Sequence, residues 1–369
     1  MASVSERRAT EQQSCPAGTT RVAGECVPSA ASRFAADPPN AIALLALAQS
    51  LTMVPVRPLA PDPPHWAVWA QGYGDYEQRS GQSRGPSASG FSALALTANS
   101  TMWTGGMLGG ADYILRNVAS AGDALIGGIL IGYESSHVSL RTSSVSSDPT
   151  IPNGNSTFNA QLSGPAAGVY ASYFNRGFST DIAFKAEFYS LDVGFADLLG
   201  FQSNPQFGLP PTSVPYSGSG TTRLDNYTVA GNVNYRFPTS AMTWVEPTGG
   251  FEYVISRYAA GADQFGLADG SLFRLQSGAR LGFDGVWNGL GISTVVTGLL
   301  YDDVLVNGGA LASAPNPEIL SDQGLLRGEG ILTLNFNHGN GVTSFVQAEL
   351  EGGKDLFGAG GKLGVRVAW

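Results

Sequence analysis

The chain has little charge, almost no histidine and no long apolar run. Only 13% of its 369 residues are Asp, Glu, Lys or Arg, about half the share of an ordinary soluble protein. No stretch of about 18 consecutive apolar residues occurs, which excludes a bundle of membrane-spanning helices. Basic residues are outnumbered, 20 against 29, and a net charge of −9 argues against nucleic acid as a partner. The three histidines, His65, His137 and His338, are too scattered in sequence to suggest a metal site. The cysteines number two, Cys15 and Cys26, in the turn-rich segment CPAGTTRVAGEC. They are expected to form a small disulfide loop in an oxidising compartment.

Gly is abundant instead, at 49 residues, and aromatics make up 10%. Low charge with mean hydropathy near zero points to a surface that faces something other than water. Strands that alternate between a lumen and a lipid face hide their hydrophobicity in this way.

Residues 1–37 read as an exposed N-terminal segment carrying the Cys loop. Residues 38–64 form a second unit. Asn40 can cap a helix over Pro38 to Met53, Ala and Leu favour it, and Pro55 and Pro58 end it. It is too short to span a bilayer. One reading is a signal-peptide core, because Ala46-Leu47-Ala48 is an A-x-A cleavage pattern. The other, which the very long leader favours, is a helix inside a barrel. PVRPLAPDPP then forms an extended connector.

From residue 65 to 369 the chain reads as about twelve antiparallel strands. Ile182, Phe184, Ala186 and Phe188 oppose Asp181, Lys185 and Glu187. Leu275, Ala279, Leu281 and Phe283 oppose Arg274, Arg280 and Asp284. Leu332, Leu334 and Phe336 oppose Arg327 and Glu329. Side chains alternate sides along a strand, so each has one apolar and one charged face. The charged residues are expected to line a solvated lumen. On that reading Arg at Phe184 is costly and Arg at Lys185 costs little.

Connections alternate short and long. Short turns are expected near Asn117, at Asn175-Arg176-Gly177, at Phe237-Pro238, at Gly285 and at His338-Gly339-Asn340-Gly341. Long loops rich in Ser, Gly and Pro lie between them, the pattern of an outer-membrane barrel. Twelve strands leave room for about one helix, so the N-terminal helix is expected in the pore.

The last residues, KLGVRVAW, place Leu363, Val365, Val367 and Trp369 on one face. This ending resembles the assembly signal of outer-membrane barrels, with Lys362, Gly364, Val367 and Trp369 at the matching positions. The span Trp66 to Trp369 resembles the autotransporter β-domain, the translocator of type V secretion. The likeness is carried by WAVWAQGYG, GGADY, GVYASYF, Glu246-Pro247, RLQSGARLGFD and the terminal Trp369.

The resemblance implies an all-β transmembrane barrel in the bacterial outer membrane, a helix in its pore and an N-terminal segment delivered to the cell surface. It implies as partners outer-membrane lipid and lipopolysaccharide, the barrel-assembly machinery, periplasmic chaperones and the chain's own N-terminal segment, acting as a monomer without cofactor. The chain departs from the family in having only about 37 residues ahead of the helix. Asn40 is followed by Ala41 rather than the second Asn at which some members cut themselves. The alternative reading is a solitary barrel whose long loops act as an adhesin or whose lumen is a narrow pore.

No catalytic constellation stands out. Gly81-Gln-Ser83-Arg-Gly85 matches G-x-S-x-G but sits in a Ser/Gly-rich loop, not between strand and helix. Gly72-Tyr-Gly74 lacks the third Gly of a dinucleotide motif, Glu77 standing in its place.

Overall fold

The computed structural model describes residues 19–22, 25–28, 66–85, 94–146, 153–201, 212–262, 267–307 and 326–369. The expected helix over Pro38 to Met53 and the Cys15–Cys26 pairing lie outside them. Within the Cys loop, where the sequence suggests only turns, Thr19–Val22 pairs antiparallel with Glu25–Pro28. Among the described residues no helix is long and apolar enough to cross a membrane.

Twelve strands form one closed antiparallel barrel. In chain order they are β1 Trp66–Gly85, β2 Leu94–Arg116, β3 Asp123–Ser146, β4 Gly154–Asn175, β5 Phe178–Phe201, β6 Thr212–Tyr235, β7 Thr243–Tyr258, β8 Gly270–Trp287, β9 Leu290–Asn307, β10 Arg327–Gly339, β11 Val342–Gly352 and β12 Leu356–Ala368. Each pairs with its sequence neighbours, and β12 pairs with β1 from Ala368↔Ala67 to Leu356↔Arg79. Closure pairs every strand on both sides at membrane height, as a sheet in hydrocarbon requires; beyond it, among the described residues, 81–85 of β1 and 212–222 of β6 are paired on one side alone. Two further bonds lock the join: Trp66 N–H donates to the Trp369 carbonyl at 3.3 Å, and Trp369 N–H to that of Trp66 at 3.0 Å.

Both ends of the barrel chain lie at the short-turn rim, which general barrel organisation makes periplasmic. Two of these turns use Asn-Gly with both residues at positive φ: Asn288 (49°) and Gly289 (80°), Asn340 (52°) and Gly341 (79°). This is the geometry that matches strand twist in a two-residue hairpin. The first of them corrects the expected turn at Gly285. β8 runs three residues further, because Asn-Gly supplies the left-handed pair and an isolated Gly does not. At the β2–β3 turn the Asp123 carboxylate accepts from the N–H groups of Val118 (2.7 Å), Ala119 (2.9 Å) and Ser120 (2.7 Å), and from the Tyr173 hydroxyl (2.9 Å).

The exterior carries the apolar residues. Trp103, Met107, Ile129, Ile131, Ile182, Phe184, Leu281 and Leu363 all point outward. Aromatics bracket this belt at a repeated spacing. Trp66 and Tyr76 on β1, Tyr113 and Trp103 on β2, Phe178 and Phe188 on β5, and Phe283 and Phe273 on β8 lie ten residues apart on the outer face. Ten residues at about 3.3 Å each, tilted by about 40°, span roughly 25 Å, the height of an outer-membrane apolar band. Neighbouring aromatics pair within each ring: Trp66 with Tyr113 at 4.8 Å, Tyr76 with Trp103 at 4.6 Å.

Above the upper ring the pattern inverts. Strands β2 to β6 continue outward with polar residues outside, among them Asn99, Arg141, Asn159, Gln161, Asp192 and Arg223. Their inward positions become apolar there: Ala98, Met102, Val138, Leu140, Phe158, Ala160, Leu162, Leu191, Val193 and Leu224 form one buried cluster. Ala262 after β7 and Leu267 before β8 are buried against this cluster. Asp269, just ahead of β8, accepts from the Tyr258 N–H at 2.8 Å and from Arg257 at 2.7 Å. The Tyr258 N–H and the Arg257 charge hold this carboxyl below its usual range.

Candidate functional site

The lumen is the concave surface of this fold, and at membrane height its wall is ionic. On β5, Lys185 and Glu187 point inward and are fully buried. Lys185 Nζ lies 3.0 Å from Glu134 Oε1 on β3 and in contact with Glu187. The Tyr189 hydroxyl donates to the other Glu134 oxygen at 2.7 Å. Across the barrel, Arg274 Nε donates to Asp303 at 2.8 Å, and Arg327 reaches the same carboxylate at 3.4 Å. The Arg274 guanidinium also sits 4.3 Å over the Tyr301 ring, whose hydroxyl donates to Glu351 at 2.7 Å.

Arg280 pairs with Glu246 at 3.0 Å, and the opposite oxygen of Glu246 takes Arg236 at 3.0 Å. Asp181 accepts from Asn232 at 3.1 Å. Asp284 accepts from the Trp244 indole at 2.9 Å. Glu329 is half-buried on the inward face of β10.

Sequence reasoning missed two central members, Glu134 and Asp303. Both lie just past the apolar run that marks their strand, where the apolar alternation ends and the hydrogen-bonded ladder does not. Inward parity identifies them: Glu134 shares the face of Ser136 and Val138, and Asp303 that of Tyr301. Each of these cations lies against a carboxylate, so its buried charge is compensated. Removing one partner from such a group costs far more than its net contribution to stability.

The closing strand carries the second set of candidates. Leu363, Val365, Val367 and Trp369 face outward, while Lys362, Gly364 and Arg366 face the lumen. Lys362 Nζ lies 3.2 Å from Glu349 on β11. Arg366 binds both carboxylate oxygens of Asp112 on β2 through one guanidinium edge, Nε and Nη2. Asp112 also accepts from the Tyr170 hydroxyl at 2.9 Å, which itself accepts from the Trp69 indole at 2.7 Å. This relay ties the last strand to β1, β2 and β4 across the join.

Gly364 leaves the space that the Phe345 ring occupies. A Cβ there would collide with that ring and approach the Ala70 carbonyl to 3.0 Å. The same device recurs around the lumen, with Tyr73 over Gly106, Tyr170 over Gly128 and Trp244 over Gly282. Glycine on one strand lets an aromatic on the next lie flat along the wall.

Among the described residues no group of His, Cys, Asp or Glu has the arrangement of a metal site. The G-x-S-x-G segment lies along the outer end of β1, paired with β2 from Gly81↔Ala98 to Gly85↔Leu94, so Ser83 sits within a strand ladder and not on the strand-to-helix turn that exposes a nucleophile.

No protein-family model matches the chain, and no curated protein matches it in sequence. Solved structures do. The β-domain of the Bordetella autotransporter BrkA aligns with a TM-score of 0.52 and 14% identity, over 83% of this chain and 100% of that one. The transport unit of the autotransporter AIDA-I from Escherichia coli gives 0.47 and 12%, over 92% and 99%. The translocator domain of the autotransporter NalP from Neisseria meningitidis gives 0.41 and 12%, over 89% and 93%. At such identities the likeness is one of fold, and the BrkA comparison carries it. The molecule is an outer-membrane β-barrel with the architecture of an autotransporter β-domain.

Proposed function

We propose that this barrel is a translocator: it inserts in the outer membrane, holds the Pro38 to Met53 segment in its lumen and presents the N-terminal segment at the cell surface. The observation that carries this reading is the apolar inner wall of β2 to β6. A lumen lined only with ions is a poor host for a segment of Ala and Leu. A lumen whose outer half is apolar on one side matches such a segment in polarity, because it asks no buried ion to lose its partner. Ala side chains permit close approach to that wall.

Assembly follows the same logic. Lys362, Gly364, Val367 and Trp369 on the closing strand serve as the signal that chaperones and the assembly machinery recognise before β12 meets β1. Their pattern and their place at the join support this role. Lipid and lipopolysaccharide contact the outward belt.

The test is protease shaving of intact cells bearing an epitope near Thr10, with permeabilised cells as control. Loss of the tag from intact cells is the expected result. Protection until permeabilisation overturns the export reading in favour of a solitary barrel. Absence of the tag from the mature protein restores cleavage after Ala48.

A further inference from the structure

A cavity of about 110 Å3 opens in the short-turn half of the lumen, between the closing strand and the wall facing it. The export reading gives Trp69, Tyr170, Asn335 and Gln347, which line it, no role. At roughly 10–15 Å3 per water measured this way, it holds about eight waters, the bulk of one pyranose ring.

Its lining narrows the chemistry. Trp69, Tyr170 and Phe345 supply aromatic surface, while Asn335, Gln347 and Thr343 supply hydrogen-bonding groups. The ionised groups are already partnered, Arg366 by Asp112 and Lys362 by Glu349, so the site has no uncompensated charge for an ionic ligand. A hydrocarbon fits no better. Asn335 donates to the Ser293 carbonyl at 3.5 Å, and its own Oδ1 is buried without a partner among the described residues. A buried acceptor left unsatisfied is costly, and an apolar ligand would leave it so. Thr333 and Gln347, both more than nine-tenths buried, add polar groups beside it.

The Trp69 indole N–H is spent on Tyr170, which leaves ring faces as the aromatic contribution. Ring faces with planar amides and hydroxyls match a ligand that has a C–H face and a hydroxyl rim. We propose that this cavity binds one neutral sugar unit, free or as the end of a glycan chain, entering from the short-turn mouth. The site does not depend on export, because a barrel whose N-terminal segment stays in the periplasm still carries it.

The test is calorimetric titration of the full chain folded in an amine-oxide detergent, which has no sugar headgroup. The probes are methyl α-glucoside, N-acetylglucosamine and its β-1,4 dimer. Saturable binding of at least one, with Kd near ~1 mM, is expected. Stronger binding of the dimer than of the single units identifies a glycan end; equal binding identifies a free sugar. Asn335→Leu is expected to weaken binding by about tenfold or more while the barrel keeps its heat-dependent gel shift. Thr343→Trp, whose side chain shares the inward face of Phe345 and Gln347 and fills the cavity, is the second variant if the first does not fold. No saturation by any probe, binding of benzyl alcohol in place of sugars, or binding indifferent to the substitution overturns the proposal.

Discussion

At the scale of single residues, Phe184 and Lys185 are neighbours in sequence with opposite surroundings. Phe184 is outward and 42% exposed, in the belt between the Phe178 and Phe188 rings, whereas Lys185 is 0% exposed between Glu134 and Glu187. Phe184→Arg puts a charge into hydrocarbon and is expected to cost roughly 2–4 kcal/mol near the midplane. Lys185→Met leaves two carboxylates facing each other without their cation and is expected to cost about 3–5 kcal/mol, the penalty for breaking a buried pair. Urea-driven unfolding from bilayers measures both. The expectation that Arg at position 185 costs little does not survive the geometry: the site is filled, and a larger head strains it by about 1–3 kcal/mol. Charge alone suggested a solvated face; only the fold shows that the cation is enclosed. A Phe184→Arg variant as stable as the parent would mean that β5 is turned the other way.

At the scale of elements, the closing strand and the turns carry separable predictions. Gly364→Leu drives a side chain into the Phe345 ring, so β12 cannot lie flat against β11 and β1. The expected result is loss of the folded, heat-modifiable band from outer membranes, restored in part by Phe345→Ala. Failure of that second change to help would point to a role for Gly364 outside packing. The β2–β3 turn responds to pH. Burial pushes the Asp123 carboxyl up, but the N–H groups of Ala119, Ser120 and Val118 and the Tyr173 hydroxyl more than offset it and hold it below the usual range. The group is therefore ionised and stabilising above its unfolded pKa of about 3.9, and the contribution is lost as pH falls through the lower folded value. Asp123→Asn should lower Tm at pH 6, and the gap should close in strong acid. A constant gap would assign the effect to something other than this titration. Strand number, closure and the lipid face were legible in the sequence, because alternation in Ile182 to Phe188 or Leu363 to Trp369 states them directly. The extended strand ends were not. Beyond the membrane, outward residues such as Arg141 and Gln161 turn polar while Leu140 and Leu162 turn apolar inside. The apolar phase shifts by one residue, and a strand read by its first phase ends too soon.

At the scale of the whole molecule, that phase shift marks a boundary. Between the two aromatic rings the barrel is apolar outside and ionic inside; above the upper ring β2 to β6 are polar outside and apolar inside. The same hydrogen-bonded wall thus serves two solvents, and the crossover occurs near Trp103 on β2, just past Tyr133 on β3 and at Phe188–Tyr189 on β5. A wall with this inversion has one stable depth in a bilayer. Sliding outward by two residues would bring Trp66 and Trp369 into hydrocarbon, and sliding inward would bury Ser135, His137 and Gln161. The depth is measurable with single-tryptophan variants in lipids brominated at known positions along the acyl chain. Trp66 and Trp103, placed roughly 25 Å apart at the two interfaces, should be quenched best by bromines near the headgroup. A Phe184→Trp variant should be quenched best by bromines near the chain end. Deep quenching of Trp103 would shift the belt outward and bring the polar wall of β2 to β6 into lipid, a position that the desolvation of Asn99, Arg141 and Gln161 forbids.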